Sequence, residues 1–253
     1  MAVVSRWSAL LLAGSRPSGD NIMGHKALIE VAGVPMLLRP LGALLESPLI
    51  GTVCVFAQDL DSLRPLLPDD PRVELRQSLG TIADTIAELI KAKALDYPVL
   101  VTTADHALLD TAMIAEFIAG AEGADLAIAM VERDTLMRRF PNSKRTWIGF
   151  QGGRYSGANL FAFGSDKVTR VIDRWRIVEQ DRKKGWRVLA ALGPALLLGA
   201  VLKLRTVDES VAAVGSKLGL SIRAVQMSDP KAAIDVDKPA DLELVEAILS
   251  GQA

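Results

Sequence analysis

The chain is poor in cysteine and aromatic residues, and each shortage removes a class of function. A single cysteine, Cys54, in 253 residues excludes an internal disulfide and a cysteine-rich zinc site. Phe, Trp and Tyr make up only 5% of the chain, which argues against a platform for stacking nucleic-acid bases. Charge of one sign is missing too. The 29 Lys plus Arg nearly balance 30 Asp plus Glu, so the net charge is -1 and no nucleic-acid partner is expected. There is no repeat, no low-complexity tract and no Pro/Gly/Ser-rich linker. What is present is apolar: 50% of residues are hydrophobic and mean hydropathy is +0.27, too high for disorder and ample for a sizeable core.

Two runs bear on targeting and membranes. The short apolar run from Trp7 to Gly14 follows Arg6 but lacks a small-x-small cleavage signal, so it reads as a first buried strand. From Val188 to Leu204 there is no charge before Lys203, at the lower edge of membrane-spanning length, and Gly193, Pro194 and Gly199 interrupt the run. It reads as a pair of short buried helices. The rival is a peripheral membrane contact through 182–204, since Arg182, Lys183, Lys184 and Arg187 would attract anionic lipid. The expected location is cytoplasmic, with that contact falling on the inner face of the membrane.

Strand-length apolar runs alternate with segments of helical period. Strands are predicted at Ser8–Ala13, Thr52–Ala57, Arg72–Arg76, Pro98–Thr103, Ala124–Val131 and Ser221–Gln226. Trp147–Phe150 and Asn159–Phe163 are two more, flanking the turn 151–154. Helices are predicted at Pro35–Glu46, Thr81–Ala94, from the capping residue Asp110 through Ala121, and at Asp166–Gln180, Val207–Leu218 and Ala240–Leu249. The continuous run Val99-Leu100-Val101 suits a central parallel strand buried on both faces. The fold class is therefore α/β: one three-layer domain over 1–253, with a mostly parallel, twisted central sheet and helices on both faces.

In such sheets ligands bind beyond the carboxyl ends of the strands. The loop Ala13-Gly14-Ser15-Arg16, running on to Lys26, follows the first strand and offers glycine and positive charge to a phosphate. It carries neither GxGxxG nor a Walker GxxxxGK[ST] pattern.

The segment from His25 to Leu37 resembles the K-x-L-x-x-V-x-G-x-P-M-L stretch of nucleotidyltransferases with a GT-A-like fold, and Leu12-Ala13-Gly14 resembles their opening L-A-G. Gln77-Ser78-Leu79-Gly80-Thr81 looks like their base-holding Q-x-x-G-T, and Val101-Thr102-Thr103-Ala104-Asp105 like the strand that ends in a metal-binding aspartate. Asp235-Val236-Asp237-Lys238-Pro239-Ala240-Asp241-Leu242 resembles the late D-x-D-T-P-E-D-L signature. The matches fall in the family's order, and the MobA-like NTP transferases are the most similar subgroup. Departures are the longer loop between Arg16 and Lys26, Ser15 in place of a glycine, Lys238 in place of a threonine, and Asp105-His106-Ala107 where D-x-P is usual.

The resemblance implies transfer of a nucleotidyl group from an NTP, with CTP or GTP favoured, to a phosphorylated small-molecule acceptor. Pyrophosphate would leave. Arg16 and Lys26 would grip the triphosphate, and Asp105 would be catalytic as well as a metal ligand. Ala13, Gly14, Ser15, Gln77, Gly80 and Thr81 would shape the nucleotide pocket in the half 1–131. Tyr155, Ser156, Gly157 and Asn159 would face the acceptor in the half 132–253, which carries the apolar insertion around 186–204. Asp105 and Asp237, from separate strand ends, would hold Mg²⁺, which takes few oxygen ligands from protein. A phosphate acceptor is already ionised at neutral pH, so no strong general base is required.

Plainer readings of the same residues stand beside these. Asp105 or Asp237 could cap a following segment, with Asp235 as the substitute ligand, and Asp241 would serve the helix dipole. Gln77, Gly80 and Thr81 could be a strand end and helix start, and Tyr155–Asn159 a hairpin corner. His25 and His106 abut the suspected site, although imidazole suits zinc better than magnesium. Rival functions are a nucleotide-binding or membrane-docking regulatory module, and a glycosyltransferase. The latter commonly has a D-x-D motif near the middle of its sequence, whereas Asp59-Leu60-Asp61 and Asp235-Val236-Asp237 lie elsewhere.

Overall fold

The computed structural model describes residues 6–14, 26–78, 82–172 and 204–252. In chain order the strands are β1 (Trp7–Leu12), β2 (Glu30–Val31), β3 (Val34–Pro35), β4 (Ile50–Ala57), β5 (Val73–Gln77), β6 (Val99–Thr103), β7 (Leu126–Glu132), β8 (Ile148–Phe150), β9 (Gly153–Phe163) and β10 (Ile222–Gln226). The helices are α1 (Leu38–Glu46), α2 (Leu60–Leu63), α3 (Ile82–Lys91), α4 (Thr111–Ala121), α5 (Arg133–Arg139), α6 (Val207–Leu218) and α7 (Pro239–Leu249). The main sheet runs β10-β7-β9-β6-β1-β4-β5, with β8 paired to β9. Every pairing in that order that avoids β9 is parallel, while β9 lies antiparallel between β6 and β7. The sheet is thus mixed but mostly parallel, within one α/β domain.

Alternation along the strands builds three layers. On β1, Ala9 and Leu11 face one core with Leu41, Leu44, Met113, Phe117 and Val245 from α1, α4 and α7. Leu10 and Leu12 face the other, with Ile86 from α3 and Leu218 from α6. Local signals set several ends. Asp110 accepts from the Met113 amide at the start of α4. Thr206 and Glu209 form a reciprocal capping box on α6, which stops at Gly219 in the left-handed region with φ 69.

The structure departs from expectation at one helix start. A helix from Pro35 is expected, but Val34–Pro35 is a strand and α1 begins at Leu38. Ala32 and Gly33, with φ 49 and 73, turn the chain back so that Val31 pairs with Val34. The backbone bonds then continue across the hairpin, Met36 N bonding Ile29 O at 2.8 Å and Leu37 N bonding Ala27 O at 3.1 Å. The sequence pattern also missed α5, and β9 begins six residues earlier than the strand predicted at Asn159. Of the predicted helix 166–180 the described residues reach only 172, and the basic and apolar run from 182 to 203 lies outside them. Among the described residues no helix is long and apolar enough to cross a membrane.

Candidate functional site

The C-terminal ends of β1, β4, β5 and β6 share one edge of the sheet, as their parallel registers require. Past β1, Ala13 N bonds Phe56 O at 2.8 Å, keeping the strand's direction to the lip of a shallow cleft. That cleft is lined by Ala13, Gly14, Lys26, Ala27, Gln58 and Asp59. Asp59 also caps α2, accepting from the Ser62 amide. Gln77 stands exposed at the end of β5, where its Nε2 donates to Gln58 O at 2.7 Å. Ser15, Arg16, His25, Gly80 and Thr81 lie outside the described residues.

Beyond β6, Ala104 N still bonds Leu12 O at 3.0 Å, so Asp105 emerges from the sheet's centre. Thr103 Oγ1 donates to its Oδ1. Lys26, in a short 3-10 turn, places its Nζ 2.7 Å from Asp105 Oδ2 and 2.7 Å from Asp237 Oδ1. Burial opposes the lysine's charge, but the Asp105 and Asp237 carboxylates outweigh it and hold its pKa above the ordinary value.

Asp237 arrives differently from the strand end expected for it. It lies in an irregular segment between the 3-10 turn Pro230–Ala233 and α7, tied to the sheet by Val236 N bonding Asp105 O at 3.0 Å. Nor does it cap α7. Asp241 does so, its Oδ2 accepting from Asp237 N at 3.2 Å and Lys238 N at 3.0 Å. The Asp237 side chain accepts from Lys26 instead.

Asp235 is the third acid of the cluster. One oxygen from each of Asp105, Asp235 and Asp237 lies within 4.8 Å of the others. Hard oxygen donors at this spacing suit a divalent cation of the Mg²⁺ or Ca²⁺ kind and carry no preference for a soft metal. Burial pushes the Asp235 carboxyl up to about 6; Arg145 opposes the rise, and Asp105 and Asp237 add to it.

Two residues that the sequence pattern did not single out for this role hold Asp235. The Arg145 guanidinium bonds its Oδ1, and Asn159 Nδ2 donates to its Oδ2 at 3.1 Å. Asn159 reaches it through a bulge. Ile128 pairs with Phe161 on β9 but Met130 pairs with Gly157, and Asn159, between them, has φ 48. Asparagine tolerates that conformation, the one available cue in the sequence. Of the other acceptor-side candidates, Tyr155 packs with Met130, Val207 and Ala224 and stacks edge-on against Phe150 at 5.9 Å. Ser156 is buried opposite Val131, and Gly157 is exposed opposite Met130. His106 is fully buried, neither ring nitrogen has a hydrogen-bond partner among the described residues, and burial lowers its pKa to about 4. It supports the turn after Asp105 through its backbone, His106 N bonding Thr103 O at 3.2 Å.

Comparison with known proteins adds an independent line. A family model described as the MobA-like NTP transferase domain matches residues 9–196. A hypothetical transferase from Thermus thermophilus superposes with a TM-score of 0.78 at 25% identity, over 94% of this chain and 99% of that one. A CMP:2-keto-3-deoxy-manno-octonic acid synthetase complexed with CTP gives 0.62 at 13% identity, covering 98% and 100% of the two chains. A 4-diphosphocytidyl-2C-methyl-D-erythritol synthase from Anaerococcus prevotii gives 0.60 at 14% identity, covering 98% and 99%. No curated protein matches the chain in sequence.

Proposed function

Because this chain belongs to the MobA-like NTP transferase family, we propose that it transfers the nucleotidyl group of an NTP to a phosphorylated small-molecule acceptor, releasing pyrophosphate. The observation that carries the reading is the meeting of Lys26 with Asp105 and Asp237, which are 132 positions apart in sequence, at the carboxyl edge of a parallel sheet. A cation flanked by acids beside a glycine-containing cleft matches what attack on an α-phosphate demands: charge compensation and alignment rather than a strong base.

In this reading Mg²⁺ is held by Asp105 and Asp237, with Asp235 beside them, and supplies positive charge to the phosphate oxygens. Lys26 exchanges its carboxylate partners for triphosphate oxygens as the nucleotide enters, and Arg16 joins it from the preceding loop. Ala13, Gly14, Ser15, Gln77, Gly80 and Thr81 border the nucleoside. Asn159 and the neighbouring Tyr155–Gly157 segment lie on the acceptor side, where a phosphate already ionised at neutral pH acts as nucleophile through its own oxygen. Two of the similar structures are named for cytidylyl chemistry and one of them holds CTP. CTP therefore heads the donor panel, with GTP second.

The test is pyrophosphate release, with the four NTPs and Mg²⁺, across phosphorylated cofactor, sugar, polyol and lipid-headgroup acceptors. The parent protein is expected to turn over with one NTP class. Asp105→Asn is expected to lose about 10²–10³-fold in rate, as removal of a charge-stabilising group does, while its thermal midpoint stays within a few degrees. Nucleotide binding without metal-dependent pyrophosphate release on the whole panel would make the protein a binding module instead. Full turnover by Asp105→Asn would remove that carboxylate from the reaction.

A further inference from the structure

We propose that Arg145 is a positioning residue: it locks the turn from Asp235 to Asp237 so that both carboxylates stay directed at Asp105. The inference rests on the transfer reading for what the site does, but its geometry stands alone. Arg145 lies between α5 and β8, and its side chain is only 7% exposed. Its Nη1 bonds the Asp235 carboxylate, and its Nη2 is 3.1 Å from the Asp235 carbonyl and 3.3 Å from Asp241 Oδ1. The other Asp241 oxygen accepts from the Asp237 amide. One guanidinium therefore grips the side chain and backbone of the first acid, and reaches the backbone of the second through a single intermediary.

The turn needs such a grip. It belongs to neither β10 nor α7, and among the described residues one backbone bond, from Val236 N to Asp105 O, ties it to the chain just past β6. That bond fixes where the turn lies but not where the flanking side chains point. The planar fork of arginine can serve a carboxylate, a carbonyl and a second carboxylate together, whereas a lysine offers one point charge. Stability alone does not explain the arrangement, because a buried ion pair often stabilises no more than an apolar replacement. Charge supports the same view. Asp105, Asp235, Asp237 and Asp241 face two cations, Lys26 and Arg145.

The experiment is a Mn²⁺ titration followed by electron paramagnetic resonance, without nucleotide, on the parent, Arg145→Lys, Asp235→Asn and the double variant, with thermal unfolding run alongside. Arg145→Lys is expected to weaken Mn²⁺ about ten-fold, the range found when a partner of a metal ligand is lost, with cooperative unfolding kept. In the Asp235→Asn background the same change should cost only about two-fold, because most of its effect passes through Asp235. Parent-like affinity in Arg145→Lys, equal losses in both backgrounds, or a parent that binds no Mn²⁺ would each overturn the proposal. If Arg145→Lys does not unfold cooperatively, Arg145→Gln is titrated by the same criteria, and failure of both to fold assigns Arg145 to stability instead. No turnover enters this readout. A parent that releases no pyrophosphate, yet loses Mn²⁺ affinity in Arg145→Lys, keeps this inference and removes the transfer reading. Active parent enzyme with unchanged affinity in the variant does the reverse.

Discussion

Lys26 and Arg145 each hold two aspartates, yet the two ion-pair groups differ in depth and in construction. The Lys26 side chain is 27% exposed at the mouth of the cleft and meets Asp105 and Asp237 through one ammonium. Arg145 is almost sealed and spreads its bonds over Asp235 and Asp241. A cation at the mouth, making single contacts to acids that a metal also wants, is one that ligand can displace. A cation beneath, making several contacts including one to backbone, stays in place. In the proposed reading the outer pair serves ligand exchange and the inner one architecture.

Lys26→Met puts that difference at greatest risk. Methionine keeps most of the aliphatic stem and removes the charge. NTP-dependent pyrophosphate release should fall about 10²-fold, the scale for losing one charge-stabilising donor. Mn²⁺ binding without nucleotide should instead hold or tighten, since the ammonium no longer competes for Asp105 and Asp237. Arg145→Lys is expected to move the same affinity the other way. If both variants weaken Mn²⁺, the outer cation is structural too and the distinction fails.

The same contrast marks what is legible in the sequence. Asp105 and Lys26 sit in segments whose order a linear pattern carries: a continuous apolar strand ending in an acid, and a lysine just ahead of a compact turn. Those segments, the six parallel strands and most helix ends are legible because period-two and helical burial set them locally. Arg145 and the role of Asn159 are not. Arg145 follows α5 in a stretch without regular period, and its partners are 90 and 96 positions away. Asn159 points at Asp235 only because β9 takes two extra residues against β7, a count visible in the pairing register and nowhere in one strand's sequence. The sequence pattern makes Asp235 a substitute ligand, yet it lies within 4.8 Å of both other acids, because the turn is held by tertiary bonds that no local pattern reports.

Asn159→Gly tests the inner group more gently than Arg145→Lys. Glycine accepts φ 48 without strain, so the bulge survives while the bond to Asp235 Oδ2 goes. A hydrogen bond to a carboxylate contributes about 1.5 kcal/mol to stability at the low end, so the melting midpoint should fall by a few degrees while unfolding stays cooperative, and Mn²⁺ affinity and kcat should each drop by up to about ten-fold. Parent-like values would show that Arg145 orders Asp235 unaided, sharpening the division between one structural cation and its accessories.

The smallest effect is expected at Asp241, where the two groups join. Its Oδ2 accepts from Asp237 N and Lys238 N at the start of α7, and its Oδ1 meets Arg145. Asp241→Asn keeps an oxygen for the two amides but removes the negative charge from the first turn of the helix. That change should cost about 0.3–1 kcal/mol in stability, read as a small fall in the denaturant midpoint. Because Arg145 keeps both of its bonds to Asp235, Mn²⁺ affinity should change by less than about two-fold, since only the weaker contact is altered. A loss as large as that of Arg145→Lys would mean that the arginine acts chiefly through Asp241 and the helix start. The inner group would then be an extension of α7 capping, and the bonds from Arg145 to Asp235 would matter little to the cation.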